Sequence, residues 1–233
     1  MKRMNNRIWP FLTVSCLLLA SCGGREAAKP VSSRAFPVVQ MPQMGSYQDK
    51  ADYAVVHFWD AFMDTSKTFF CDTSIVNGVK KEELETAFGQ FSSMLGNVMP
   101  KVSASAVDRM FKMAVRLESK DTSSNVFEIM TKMADKYLYD PNSPVRNEEA
   151  YLSFARDMSD CSFVDSTLRK SYDYSARMCS LNRIGQKAND FTFTELKGKR
   201  MTLYGIKADL TLLFFSNPGC PACEGITKAL IAD

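Results

Sequence analysis

The chain has 233 residues, 45% of them hydrophobic and 24% charged, an ordinary balance for a globular protein of one or two domains. Its formal charge of +3 comes from Lys2, Arg3 and Arg7; beyond residue 21 the remaining 26 bases face 26 acids. A balanced chain has no electrostatic footprint for nucleic acid, and that class of partner is excluded.

The basic start "MKRMNNR" is followed by "IWPFLTVSCLLLA", an apolar segment of signal-peptide length and too short to span a bilayer, which takes roughly 20 apolar residues. Leu19-Ala20-Ser21-Cys22 then resembles the lipobox of bacterial lipoproteins. That resemblance implies cleavage after residue 21, lipid attached to the Cys22 thiol, and an extracytoplasmic chain held to a bacterial membrane by acyl chains. The alternative is a plain secretory signal with a coincidental cysteine. Residues 22–48 show no period and contain Pro30, Pro37, Pro42 and Gly45, so they read as a flexible tether.

From Asp49 the apolar period becomes helical. Tyr53, Val56, Trp59, Phe62 and Met63 recur at spacings of three and four, predicting one helix through "DKADYAVVHFWDAFMDT". Further amphipathic stretches follow in "KKEELETAFGQFSSML", "SASAVDRMFKMAVRL" and "SSNVFEIMTKMADKYL". A fifth helix is expected to open with Ser143 as cap and Pro144 at its first position, and a sixth to run from about Phe163 to Met178. Residues 49–183 thus read as an all-helical domain. Its connections are short, so neighbouring helices are expected to pack antiparallel.

After Leu181 the period changes. Alternating segments around Phe191/Phe193 and Met201/Leu203, separated by "KGK", predict a β-hairpin with Gly198 in its turn. The apolar run "TLLFFS" (211–216) predicts a buried central strand. Cys220-Pro221-Ala222-Cys223 then opens a last helix. The fold class is α+β.

Thiols at i and i+3 around a helix start can close into a disulfide. Unpaired backbone N–H groups and the helix dipole favour the thiolate of the first, lowering a thiol pKa of about 8.5 toward roughly 3.5–7.5. Cys220 would be the nucleophile and Cys223 the resolving thiol. A structural disulfide is one alternative. Half a zinc site is another, poorly supplied because His57 is the sole histidine. Cys71, Cys161 and Cys179 read as small buried hydrophobes or as a set holding one structural disulfide.

Other residues have ordinary readings. His57 is a satisfied helix histidine rather than a catalytic base, and Arg146, Glu148 and Glu149 form a solvated helix start. Met110, Met113, Met130 and Met133 fill a core, with an adaptable partner-binding groove as the other possibility.

The segment "GQKANDFTFTELKGKRMTLYGIKADLTLLFFSNPGCPAC" resembles the first half of a thioredoxin-like domain of the membrane-anchored thiol-disulfide interchange type, through Gly185, Ala188, Asp190, Phe191, Leu212, Leu213, Phe215, Cys220 and Cys223. The helical block, with "DPNSPVRNEEAYL" and "NRIGQKANDF", resembles a domain of unknown function that precedes such modules in lipoproteins of Gram-negative bacteria. The resemblance implies a thiol-disulfide oxidoreductase acting on protein thiols or disulfides, with the dithiol as redox group and no bound cofactor. Gly219 departs from the pattern, which more often has an aromatic there. A thioredoxin fold continues with a further strand, helix and hairpin bearing a cis-proline, so residues 184–233 read as an incomplete domain and the chain as a truncated product with impaired activity. The rival reading is a non-catalytic binding lipoprotein with a remnant CxxC.

Overall fold

The computed structural model describes residues 33–183, 185–216 and 219–232. The expected signal peptide (1–21), the lipidation site Cys22 and the first part of the tether lie outside the described residues.

Helix α1 (Tyr47–Val56) starts at a capping box. The Ser46 hydroxyl accepts from the Asp49 N–H, while the Asp49 carboxylate accepts from the Ser46 N–H, so two orphan donors are satisfied reciprocally. The helix predicted through residue 65 stops at Val56. Irregular turns follow, yet Trp59, Phe62 and Met63 remain buried. The physical reason lies in tertiary contacts. The Ala61 carbonyl accepts from Arg34 Nη1 (3.2 Å), and the Phe62 carbonyl accepts from Arg34 Nη2 (2.7 Å) and from Asn77 Nδ2.

These bonds also correct the tether. Arg34 donates its backbone N–H to the Gly78 carbonyl at 2.6 Å and lays its guanidinium 3.5 Å from the Phe69 ring centroid. Phe36 donates to Glu83 Oε1 at 2.7 Å and packs among Phe58, Trp59 and Phe62. From Arg34 to Val39 the segment is a strap pinned to the helical domain through Arg34, Phe36 and Val39, and it runs on exposed to the start of α1.

Strands β1 (Ile75–Val76) and β2 (Val79–Lys80) form a small antiparallel hairpin, Val76 opposite Val79. Its turn, Asn77-Gly78, has positive φ at both residues. That pair is the strongest short-range hairpin signal a sequence carries, and the helical reading passed over it. Helices α2 (Lys81–Leu95), α3 (Pro100–Lys120) and α4 (Val126–Ala134) follow as amphipathic elements, with Pro100 at the first position of α3. Leu84, Phe88 and Phe91 of α2 close the aromatic cluster around Trp59.

Helix α4 runs on into one π-helical turn, Asp135–Tyr139. Its Asp135 carboxylate accepts from Tyr151 Oη (2.7 Å) and Tyr172 Oη (2.8 Å), joining it to α5 (Glu148–Asp160) and α6 (Ser166–Ser180). The fifth helix therefore opens later than predicted. Asn147, accepting from Ala150 N–H, is its cap, while the Ser143 hydroxyl donates to the Tyr137 carbonyl. Asp165, accepting from Thr167 N–H, caps α6. Helices α5 and α6 form the most extensive pairing, and α3 lies along the other side of α5.

The chain then forms a second antiparallel hairpin, β3 (Thr192–Thr194) and β4 (Arg200–Thr202), Phe193 opposite Met201 as the alternation predicts. A last helix, α7, spans Pro221–Ala232. The segment "TLLFFS" is the clearest departure from expectation. Residues 211–216 are not a strand and are exposed, Phe215 at 81%. A strand exists through its ladder partners, and among the described residues both hairpins pair only within themselves. Every buried described residue lies between Val55 and Cys179.

Two stability predictions follow from this packing. At Gly78, φ is +79° and an added Cβ would meet Phe69 Cδ1 at 3.1 Å and Arg34 Cγ at 3.3 Å. Gly78→Ala is expected to lower unfolding free energy by about 1–2 kcal/mol or more from the left-handed backbone alone, read by urea denaturation. Asp157 on α5 has a buried, unpartnered Oδ2. Burial, with Asp108 nearby, pushes its carboxyl up to about 6. The folded state then holds a proton that the unfolded chain, near 3.9, releases, so stability falls as pH rises through roughly 4 to 6. Asp157→Asn should stabilise the protein by about 1–2 kcal/mol at pH 7.5, allowing for solvent screening, and by almost nothing near pH 4. Paired denaturation curves at the two pH values measure it.

Candidate functional site

The stretch that leads to the two neighbouring cysteines is built from local bonds. In the β3–β4 turn, Gly198 takes φ +84° and donates to the Glu195 carbonyl at 2.8 Å. Asp190 Oδ1 accepts from Tyr204 N–H at 3.0 Å, the Tyr204 hydroxyl donates to the Ala188 carbonyl, and Lys187 Nζ sits 3.9 Å from the Tyr204 ring centroid. These contacts fold the start of the stretch against the end of the hairpin.

Gly219 has φ +76°, in the left-handed region where an L side chain is strained. Its Cβ position is otherwise open. The missing aromatic thus has a backbone explanation rather than a steric one.

Cys220 stands immediately before α7, and its carbonyl accepts the first helical bond, from Glu224 N–H at 3.0 Å. Pro221 occupies the first helical position, where no N–H is needed. The Cys223 N–H points back at Cys220 Sγ, 3.4 Å away. Hydrogen bonding from the Cys223 thiol, and then from the Cys223 backbone N–H, holds the Cys220 thiol below its ordinary pKa. Both cysteines are half-exposed. Cys223 is fixed one turn in, its carbonyl accepting from the Thr227 hydroxyl at 2.8 Å. A thiolate favoured at a helix start, beside a second thiol and open to solvent, has the chemistry of nucleophilic attack on a disulfide.

The other sulfur atoms differ. Cys161 and Cys179 are buried free thiols, and burial pushes the Cys179 thiol up to about 11. They lie at opposite ends of the α5–α6 pair, separated by a 15-residue helix of about 22 Å, far beyond disulfide reach. Cys71 is free and half-buried, accepting from the Asn77 N–H at 3.2 Å. It borders a cleft of about 210 Å³ with Lys67 and Lys120.

His57 is paired. Its Nδ1 lies 2.7 Å from Asp60 Oδ2, and Arg109 grips the same carboxylate from α3 with bonds of 2.8 and 2.7 Å. These bonds hold the Asp60 carboxyl below its usual range against the opposing effect of burial. Arg109 is 49 residues from Asp60, and no sequence pattern announced it. Arg146 and Arg183 pair with Glu148 and Glu149 at the start of α5. Met110, Met130 and Met133 are core residues, and Met113 packs partly against them. Sequence reasoning missed an apolar groove of about 580 Å³ between α1 and the end of α2, with Ala51, Ala54 and Val55 along α1 and Met94 and Val98 facing them. Among the described residues no three His, Cys, Asp or Glu side chains gather as metal ligands, and no helix is long and apolar enough to cross a membrane.

Comparison with known proteins gives two matches. Residues 16–182 match the family described as a domain of unknown function (DUF5106). A crystal structure of a thioredoxin-like protein from Bacteroides caccae is 33% identical and superposes with a TM-score of 0.67. The likeness covers 85% of this chain and 68% of that one. No curated protein matches.

The local bonds at Cys220 set an expected outcome. Alkylation of Cys220 by iodoacetamide should reach half its maximal rate below the ordinary thiol range of about 8.5. Cys223→Ala, which removes the side-chain donor that stabilises the thiolate, should move that midpoint upward. Mass spectrometry of the peptide across a pH series reads both.

Proposed function

The chain belongs to the DUF5106 family, and we propose that it serves as a lipid-anchored, extracytoplasmic thiol-disulfide exchange protein. In this reading residues 49–183 are the family's helical domain and residues 184–233 belong to a thioredoxin-like domain. The observation that carries it is the Cys223 N–H aimed at Cys220 Sγ at the start of α7, behind a hairpin of thioredoxin-like sequence. Likeness to a thioredoxin-like protein over 85% of the chain supports the same reading.

The chemistry balances as two exchanges. The Cys220 thiolate attacks one sulfur of a substrate disulfide, forming a mixed disulfide and releasing a substrate thiolate that takes up a proton. Cys223, losing its proton, then attacks Cys220 Sγ and releases the second substrate thiolate. Two electrons pass from the dithiol to the substrate, and the reverse sequence oxidises a substrate dithiol. No cofactor enters, since the cysteine pair is the redox group. The partners are protein thiols or disulfides at the membrane to which the Cys22 acyl chains tether the domain.

A non-catalytic binding lipoprotein is the second reading. One observation favours it: all burial lies in the helical part, so α7 has no packed platform among the described residues.

Titration of the mature chain in glutathione buffers separates the two. The exchange function predicts a reversible Cys220–Cys223 disulfide with a midpoint in the span of CxxC proteins, roughly −270 to −120 mV, abolished by Cys220→Ser. A pair that never cycles, or that reacts no differently from Cys71, would refute the exchange function and leave the binding reading.

A further inference from the structure

We propose that an exposed apolar ridge on the strap, with the groove beside it, is a membrane-contact surface that sinks into the interfacial layer of the bilayer. The proposal rests on the lipid-anchor reading and deepens it by assigning which face of the helical domain meets the membrane.

Four apolar side chains recur every third residue along the strap: Val38, Met41, Met44 and Tyr47, exposed by 86%, 47%, 86% and 90%. Met41 and Tyr47 also line the groove of about 580 Å³ between α1 and the end of α2. Val98 lines the far side of the same groove, and Met99, next in the chain, is exposed. A contiguous patch of this kind on a soluble domain marks a contact surface. The ridge does not collapse onto the core because both ends are pinned. Arg34 is bound to the carbonyls of Ala61, Phe62 and Asn77 on one side, and the Ser46–Asp49 capping box closes the other. Gly45, at φ +114°, sets the bend between them.

The occupant follows from charge and from reach. Lys50 is the one charged side chain lining the groove, suited to headgroup phosphates, and a tyrosine at the rim suits the interface. Asp49, held by Ser46, and Asp52, held by Gln48 Nε2 at 2.7 Å, keep their charges beside Lys50, so the apolar ridge rather than net charge carries the contact. From Cys22 to the pinned Arg34 there are twelve residue steps, a span of at most about 40 Å. That is comparable with the diameter of a domain of this size, whose radius of gyration is about 15 Å. An anchored domain can therefore bring any of its faces to the bilayer, and the ridge selects one. Tethering raises the effective concentration to the millimolar range, so a weak apolar patch is enough to hold the orientation.

The test uses the mature chain carrying Cys22→Ala, so that no acyl chain contributes, sedimented with vesicles of phosphatidylethanolamine and phosphatidylglycerol. The ridge predicts measurable binding, weakened at least about fivefold by Met44→Asp with Tyr47→Asp. A control pair on the other exposed apolar segment, Leu212→Asp with Phe215→Asp, should leave it within about twofold. Absence of vesicle binding overturns the proposal and turns the ridge toward a protein partner. Loss through the control pair, with the ridge variants neutral, overturns it as well. Mass spectrometry of the wild-type N-terminal peptide tests the anchor separately. An acylated Cys22 without ridge binding refutes the ridge alone, and ridge binding without acylation refutes the anchor alone.

Discussion

The helical domain depends on how the carbonyls of Ala61 and Phe62 are satisfied. A helix continued from α1 would turn them toward its own next N–H groups. Instead the Phe62 oxygen accepts from the guanidinium of Arg34 and from the Asn77 side chain, while Ala61 accepts a second arm of Arg34. Both donors come from elsewhere in the chain, one from the strap and one from the tip of the first hairpin. Three segments that share no local pattern are thereby joined at one point. Hydrogen bonds to a charged donor contribute about 1.5–3 kcal/mol each, against roughly 1 for a neutral helical bond, so ending the helix there is energetically acceptable. Once α1 has ended, Trp59 and Phe62 are free to turn inward, and the rings of Phe36, Phe58, Phe88 and Phe91 close around them.

Among its described residues the C-terminal segment has no such junction. Its hairpin is tied by bonds of short sequence separation: Asp190 to Tyr204, Glu195 to Lys199 and Gly198, Thr202 to Gly205. Burial is a different matter, because an apolar run becomes a strand only when another strand takes its N–H and C=O groups. Leu212, Phe214 and Phe215 lie exposed in spite of having the composition of a central strand. The thioredoxin-like protein from Bacteroides caccae is the longer of the two chains, since the likeness covers 85% of one and 68% of the other. Among the described residues no strand takes the N–H and C=O groups of residues 211–216, and composition alone does not make them a strand.

The same distinction explains what could be read from the sequence. Period and turn chemistry are local, so the amphipathic stripes of α2 to α6 and the Phe193–Met201 register were legible residue by residue. Errors fell where a distant donor overrides local pattern. Arg34, 28 residues away, takes the carbonyls of the turns after α1, and Asn147 caps α5 while Ser143, donating to the Tyr137 carbonyl and accepting from Val145 N–H, closes a turn ahead of it. The Asn77-Gly78 hairpin was a different kind of miss, since its signal was present and went unread beside stronger helical patterns. The candidate site was legible for the same reason as the second hairpin. Everything that favours the Cys220 thiolate comes from its own helix, within three residues.

In the proposed exchange function, that locality separates two properties which usually travel together. Activation of the nucleophile needs a helix start, a proline at its first position and a second thiol one turn along, and all three reside in Cys220-Pro221-Ala222-Cys223. Selection of a substrate needs a surface around the thiol, against which a peptide can lie. Directly before Cys220 in the chain stands a positive-φ glycine with open space at its Cβ, and residues 211–216 are an exposed apolar run. Such an arrangement reacts with small disulfides according to thiolate fraction and access alone, while discrimination among protein disulfides requires contacts that it does not itself contain. Reactivity of the thiol and recognition of a substrate are therefore separable in this chain.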